Sequence, residues 1–123
     1  KNCPVGQAVI TRGGKLKARH VIHAVGPMWG EGDEDEKLSN AILNSLILAS
    51  KTGLSSIALP AISTGNFGFP MERAARISLE TAKKFSSSRS SLNKIIFCLL
   101  DQPAYDTFYH ALQTISNSTL PKS

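Results

Sequence analysis

Between Ala58 and Pro70 the chain reads ALPAISTGNFGFP. It holds an apolar run, hydroxyls at Ser63 and Thr64, glycines at Gly65 and Gly68, an aromatic at Phe67, and a proline suited to the first turn of a helix. Glycines let a backbone approach a ligand closely, and unpaired amides beside a helix N-terminus offer donors to phosphate oxygens, with the two hydroxyls as further donors. The pattern is neither a Walker loop, which would end in Gly-Lys-Ser/Thr, nor a GxGxxG dinucleotide fingerprint. From the residues alone two readings stay open: an anion or phosphate site, and a tight strand-to-helix turn whose hydroxyls only cap the helix. Phe67 has two uses as well, stacking on a sugar or base or anchoring the loop in the interior.

Other candidate chemistry is thinner. His23 lies in the run HVIHAV and by strand alternation shares a face with Val21 and Val25, which favours a satisfied structural histidine over a catalytic acid or base. His20 and His110 read as peripheral. With no second histidine or acidic partner at ligand spacing, no metal site is expected, and no cofactor is implied. Cys3 and Cys98 are too few for a disulfide framework. Cys98 sits in an apolar strand pattern and reads as a small core hydrophobe, and this cysteine usage suggests an intracellular protein, cytoplasmic or nuclear. Ser63 lacks the G-x-S-x-G setting of an acyl-transfer nucleophile.

These residues need elements to position them. Gln7 to Thr11 and His20 to Val25 read as strands, separated by a turn at Gly13-Gly14 and closed by Gly26-Pro27. From Asp35 to Lys51, Leu38, Ala41, Ile42, Leu46 and Ala49 recur at helical spacing, with Gly53 as the stop. Ser56 to Ala61 reads as a buried strand. The helix after Pro70 runs to about Phe85, with Met71, Ala74, Ala75, Ser78, Leu79, Ala82 and Phe85 inward. A strand at Lys94 to Leu100 leads to a helix capped by Asp101, whose inner face is Ala104, Phe108, Ala111, Leu112 and Ile115. Alternating strand and helix indicate an α/β fold with parallel later strands, and runs as apolar as IIFCLL suit strands covered on both faces. In such sheets ligands bind beyond the carboxyl ends of strands, here after Val25, Pro60 and Leu100.

The chain's 123 residues suit one domain, and no run nears the ~20 apolar residues of a membrane helix. The net charge of +5 is unevenly spread, since Glu31, Asp33, Glu34, Asp35 and Glu36 are five of the nine acids. That acidic run solvates a loop and complements a helix start, and it lacks the alternation of a calcium loop. Arg12, Lys15, Lys17 and Arg19 form a basic stretch, read first as a solvated face and second as a phosphate or nucleic-acid surface.

CPVGQAVIT, HVIHAVGPMWG and ALPAISTGNFGFP, in that order and spacing, resemble the macro domain, the ADP-ribose-binding module. The resemblance covers Cys3 to about Ile115 and implies a three-layer α/β/α sandwich with a mixed, largely parallel sheet. It implies that residues 1–123 are a single macro-like domain, the C-terminal two-thirds of the family fold, lacking about sixty N-terminal residues. In the family that segment carries an aspartate for adenine, an asparagine near the distal ribose and a second glycine-rich loop. By the same resemblance the loop Ser63 to Phe69 would wrap the diphosphate of ADP-ribose, with Ser63, Thr64, Gly65, Asn66, Phe67 and Gly68 as ligand-binding residues and Asn66 and Phe67 bordering the distal ribose. Amides of residues 64–67 would be the main donors. Leu100 stands where many relatives place an aromatic against adenine, and a leucine packs there without the ring quadrupole.

The function implied is binding of free ADP-ribose or ADP-ribosylated protein. The alternatives are hydrolysis of ADP-ribosyl esters or of the terminal phosphate of ADP-ribose 1″-phosphate, with catalytic residues unassigned. A basic nucleic-acid-binding domain is a third reading, without a recognisable motif for it.

Overall fold

The computed structural model describes residues 5–12 and 20–118. Cys3, the Gly13-Gly14 turn and the side chains of the basic stretch lie outside the described set.

β1 (Ala8–Arg12) and β2 (His20–Ala24) pair antiparallel, with Ala8 opposite Ala24 and Arg12 opposite His20. Gly6 N donates to Val25 O at 2.7 Å, extending the ladder to the point where Gly26 and Pro27, both buried, end it. α1 (Glu34–Lys51) follows, and the five apolar residues read from its sequence are all at most 1% exposed. It stops at Gly53, where φ is +82° and Leu54 N donates back to Ala49 O, the closure that a residue in the left-handed region permits.

β3 (Ser56–Leu59) runs parallel to β4 (Lys94–Phe97), with Ser56 opposite Lys94 and Leu59 opposite Phe97. Between them lies α2 (Met71–Ser86), which packs against α1 and against α3 (Gln102–Ser118). Asp101 caps α3, its Oδ1 accepting from Ala104 N at 3.0 Å as the sequence predicts. Asp101→Ala should cost about 1 kcal/mol. Urea unfolding would show it as a lower midpoint with unchanged slope.

The core joins Leu38, Ile42 and Leu46 of α1, Ile57 and Leu59 of β3, Ala74 and Ile77 of α2, and Phe69 just ahead of α2. On α2 the inward stripe is rotated from expectation. Ile77 and Thr81 are buried with Ala74, Ala75 and Ser78, whereas Met71, Leu79, Ala82 and Phe85 are only half-buried.

Both later strands are shorter than their apolar runs, and each is covered on one face only. Ile57 and Leu59 point inward, but Ala58 and Cys98 are exposed and Ile96 is 43% exposed. Cys98 is therefore not a core residue. The apolar pattern specifies a second covered face, and among the described residues no element lies over it. Leu112, expected on the inner face of α3, is 47% exposed. The described strands form two separate pairs, β1 with β2 and β3 with β4. A slot of about 530 Å³ lies between the pairs, lined by His20, Ile22 and Ala24 on one side and Ile57 and Leu59 on the other.

Candidate functional site

Residues 61–69 leave the carboxyl end of β3 and turn back into α2. The turn closes on itself through Thr64 N to Ala61 O (3.3 Å), Gly68 N to Gly65 O (3.0 Å) and Phe69 N to Ser63 O (2.9 Å). Phe69 drops into the core at 2% exposure and ties the end of the loop to the body. What remains outward is a run of backbone. Gly65, Asn66, Phe67 and Gly68 are exposed, and among the described residues the amides of Gly65, Asn66 and Phe67 donate to no group of the protein. Three successive unengaged amides ahead of a helix N-terminus are free donors of the kind that suits an anion.

The hydroxyls are not part of that surface. Thr64 Oγ1 donates to Ala61 O at 2.8 Å, and the Thr64 amide is engaged there as well. Ser63 Oγ is buried without a hydrogen-bond partner, and Ser63 has a φ of 70°. It lies beneath the loop against Gly26, where an added Cβ would come within 2.2 Å of Ser63 Oγ and 2.4 Å of Ile62 Cγ2. The end of β2 and the loop are thus in contact only because residue 26 has no side chain. Phe67 is 39% exposed at the loop surface, whereas the neighbouring aromatic Phe69 is the interior anchor. Leu100, beyond β4, is fully exposed and touches no core residue.

A second segment, residues 28–33, supports the loop. Trp29 N donates to Phe67 O at 2.8 Å. The Trp29 ring meets Phe69 edge-on at 5.0 Å between centroids, and the Arg73 guanidinium lies 5.6 Å over it. Arg73 binds both oxygens of Asp35 at 2.7 Å. The acidic run is absorbed into this segment. Glu34 accepts from Gly30 N (2.7 Å) and Gly32 N (3.2 Å), and Glu31 accepts from Met28 N (3.1 Å) and Lys37 Nζ (2.9 Å). The sequence reading overlooked Trp29 and Arg73. The available signal was a lone tryptophan in a Gly/Pro segment after β2, one of the three strand ends where a ligand is expected.

These contacts lower three carboxyl pKa values: Asp35 through the Arg73 hydrogen bonds, Glu31 through Lys37 and then the Met28 amide, and Glu34 through backbone amides, its own first and then Gly32. A carboxylate with a depressed folded-state pKa contributes stability that is complete above its unfolded pKa and lost as pH falls through the folded value. The segment should therefore loosen only on the acid side of the usual carboxylate range. Because the groups are exposed, the effect should be small and screened by salt. Acid titration followed by the fluorescence of Trp29, the chain's single tryptophan, should show a transition that Asp35→Asn weakens.

His23 on β2 and His110 on α3 are exposed. His20 lines the slot between the strand pairs, and its Nδ1 is buried without a partner. Among the described residues no group of three or more His, Cys, Asp or Glu could hold a metal, and no helix is long and apolar enough to cross a membrane. A groove of about 1020 Å³ between β4, α2 and α3, with Phe85, Phe97, Tyr105 and Phe108 in its walls, includes none of residues 63–68.

Comparison with known proteins follows the same blocks. The Macro domain model matches residues 1–78. The O-acetyl-ADP-ribose deacetylase of Escherichia fergusonii is 50% identical over 102 residues, covering 81% of this chain and 58% of that protein. The Oceanobacillus iheyensis macrodomain with ADP superimposes with a TM-score of 0.88 at 34% identity, over 96% of this chain and 63% of that one. The Trypanosoma brucei macrodomain in complex with ADP-ribose does so with a TM-score of 0.83 at 33% identity, over 89% of this chain and 47% of that one. This chain thus spans less than two thirds of each of these relatives. With its α/β sandwich, its strand-to-helix loop and these matches along most of its length, the chain belongs to the macro domain family.

Proposed function

We propose that this chain binds ADP-ribose, free or attached to protein, and that residues 63–68 receive the diphosphate. The observation that carries the reading is the run of unengaged amides at Gly65, Asn66 and Phe67, presented ahead of α2 at the end of a parallel strand. Backbone donors fixed before the ligand arrives bind phosphate oxygens without a basic side chain and with little reorganisation. Asn66 and the exposed ring of Phe67 border the distal ribose, and Leu100 offers an apolar surface to the base. The macrodomains of O. iheyensis and T. brucei, solved with ADP and with ADP-ribose, support this ligand class.

Gly65 gives a clean test. A Cβ there meets nothing within 4 Å, so Gly65→Val leaves the free fold unstrained but places two methyls where the phosphate must approach. Thermal unfolding should be unchanged while ADP-ribose affinity falls at least about tenfold, the loss of roughly 1.4 kcal/mol. Unchanged affinity would refute the loop assignment.

A second reading, hydrolysis of an ADP-ribosyl ester, is favoured by the 50% identity to a protein named O-acetyl-ADP-ribose deacetylase. Acetate release from O-acetyl-ADP-ribose would establish it. Among the described residues Cys98 is an exposed thiol without a disulfide, which fits a reducing interior, cytoplasmic or nuclear.

A further inference from the structure

We propose that Trp29 is a positioning residue for the diphosphate loop, clamped in place by Arg73 and Asp35. The inference rests on the ADP-ribose reading and names what sets the affinity of that site. The peptide joining Phe67 to Gly68 is held from both sides: its carbonyl accepts from Trp29 N at 2.8 Å, and its N–H donates to Gly65 O at 3.0 Å. That peptide closes the run of unengaged amides, so its orientation sets the direction in which the Phe67 and Asn66 amides point.

Trp29 belongs to a separate segment, residues 28–33. Two contacts fix the ring, an edge-to-face contact with Phe69 at 5.0 Å between centroids and the Arg73 guanidinium at 5.6 Å. Arg73 is itself held by two 2.7 Å bonds to Asp35 in the first turn of α1. The bidentate fork immobilises the guanidinium more than a single contact would. Aromatic and cation–π contacts of this kind are worth enough to hold a short segment. Gly68 adopts φ +77°, and a Cβ there would come within 3.8 Å of Trp29 Cβ, so the two segments lie side by side. The clamp runs from α1 through Arg73 and Trp29 to the phosphate-facing backbone. It gives a purpose to the acidic run that the phosphate reading leaves unused.

The test compares the wild-type protein with Trp29→Ala, Trp29→Phe and Arg73→Met by hydrogen exchange without ligand and by titration with ADP-ribose and AMP. In Trp29→Ala the Gly68 and Phe69 amides should exchange about tenfold faster, the equivalent of losing roughly 1.4 kcal/mol of clamp contacts, while amides of residues 38–49 stay unchanged. Trp29→Phe should restore most of the protection, and Arg73→Met, at an exposed position that keeps the ring, should show an intermediate gain in exchange. In titration, Trp29→Ala should weaken ADP-ribose about tenfold and leave AMP unaltered. Equal loop exchange in wild type and Trp29→Ala overturns the clamp, as does an equal loss of affinity for both ligands. If Trp29→Ala does not fold, exchange in Arg73→Met decides, and no change there overturns the proposal. A wild-type protein that fails to bind ADP-ribose would refute the functional reading, while the exchange comparison would still decide the clamp.

Discussion

Gly26→Ala should destabilise the protein by about 1–3 kcal/mol and weaken ADP-ribose binding well beyond tenfold. The added methyl would stand 2.2 Å from Ser63 Oγ and 2.4 Å from Ile62 Cγ2, inside van der Waals contact with both. The Ser63 hydroxyl, which has no partner, can turn about χ1, but Ser63 Cβ would still lie 3.4 Å away and the β-branched Ile62 has less room to give. Ser63 is already in the left-handed region at φ 70°, and its backbone carbonyl accepts from Phe69 N, so moving it drags the loop. Ile62 packs against the core cluster. The strain therefore passes into the segment proposed to present the phosphate donors. Ser63→Gly in the same chain removes the nearer clash, the orphaned hydroxyl and the φ penalty together, so the double variant should recover part of the loss. Urea unfolding and ADP-ribose titration of the single and double variants check this, and a single variant as stable and as tight as wild type would refute the contact argument.

Phe69→Ala should be the most destabilising loop substitution, at about 3–5 kcal/mol. Phe69 is 2% exposed, is the largest of the fully buried side chains, and packs edge-to-face with Trp29 while filling the core between α1, β3 and α2. Domains of this size are stable by about 5–15 kcal/mol in all, so the variant should be largely unfolded at modest urea concentrations. Phe69→Leu, which keeps most of the volume, should cost far less. The contrast separates the anchor from the ligand surface: Phe67→Ala, two residues earlier and exposed, should leave stability almost unchanged.

The residues that pack are more legible in the sequence than those proposed to bind. The periodicity of Leu38, Ala41, Ile42, Leu46 and Ala49 names the buried face of α1, because a helix expresses its neighbours as a repeat in its own sequence. Asp101 and Gly53 mark helix ends through chemistry local to a few residues. The loop's glycines likewise announced exposed backbone. The fate of the hydroxyls was not legible, because whether Ser63 and Thr64 face ligand or interior depends on Gly26 and Ala61 as neighbours in space. Nor was the role of Trp29, whose partners Phe67, Phe69 and Arg73 lie some forty residues away in sequence. Cys98 and Ile96 misled in an informative direction: their apolar run records a strand with two covered faces, and the described residues supply one. The slot between β2 and β3 has the same origin, for two separate strand pairs contain less than the single mixed sheet that the macro domain resemblance implies.

The most direct test of the diphosphate assignment is calorimetric titration of the protein carrying this sequence with ADP-ribose and, separately, with AMP. Donors arranged for a diphosphate and a distal ribose predict saturable ADP-ribose binding and AMP binding at least about tenfold weaker. Equal affinity for the two ligands, or no saturable binding of ADP-ribose, would contradict it.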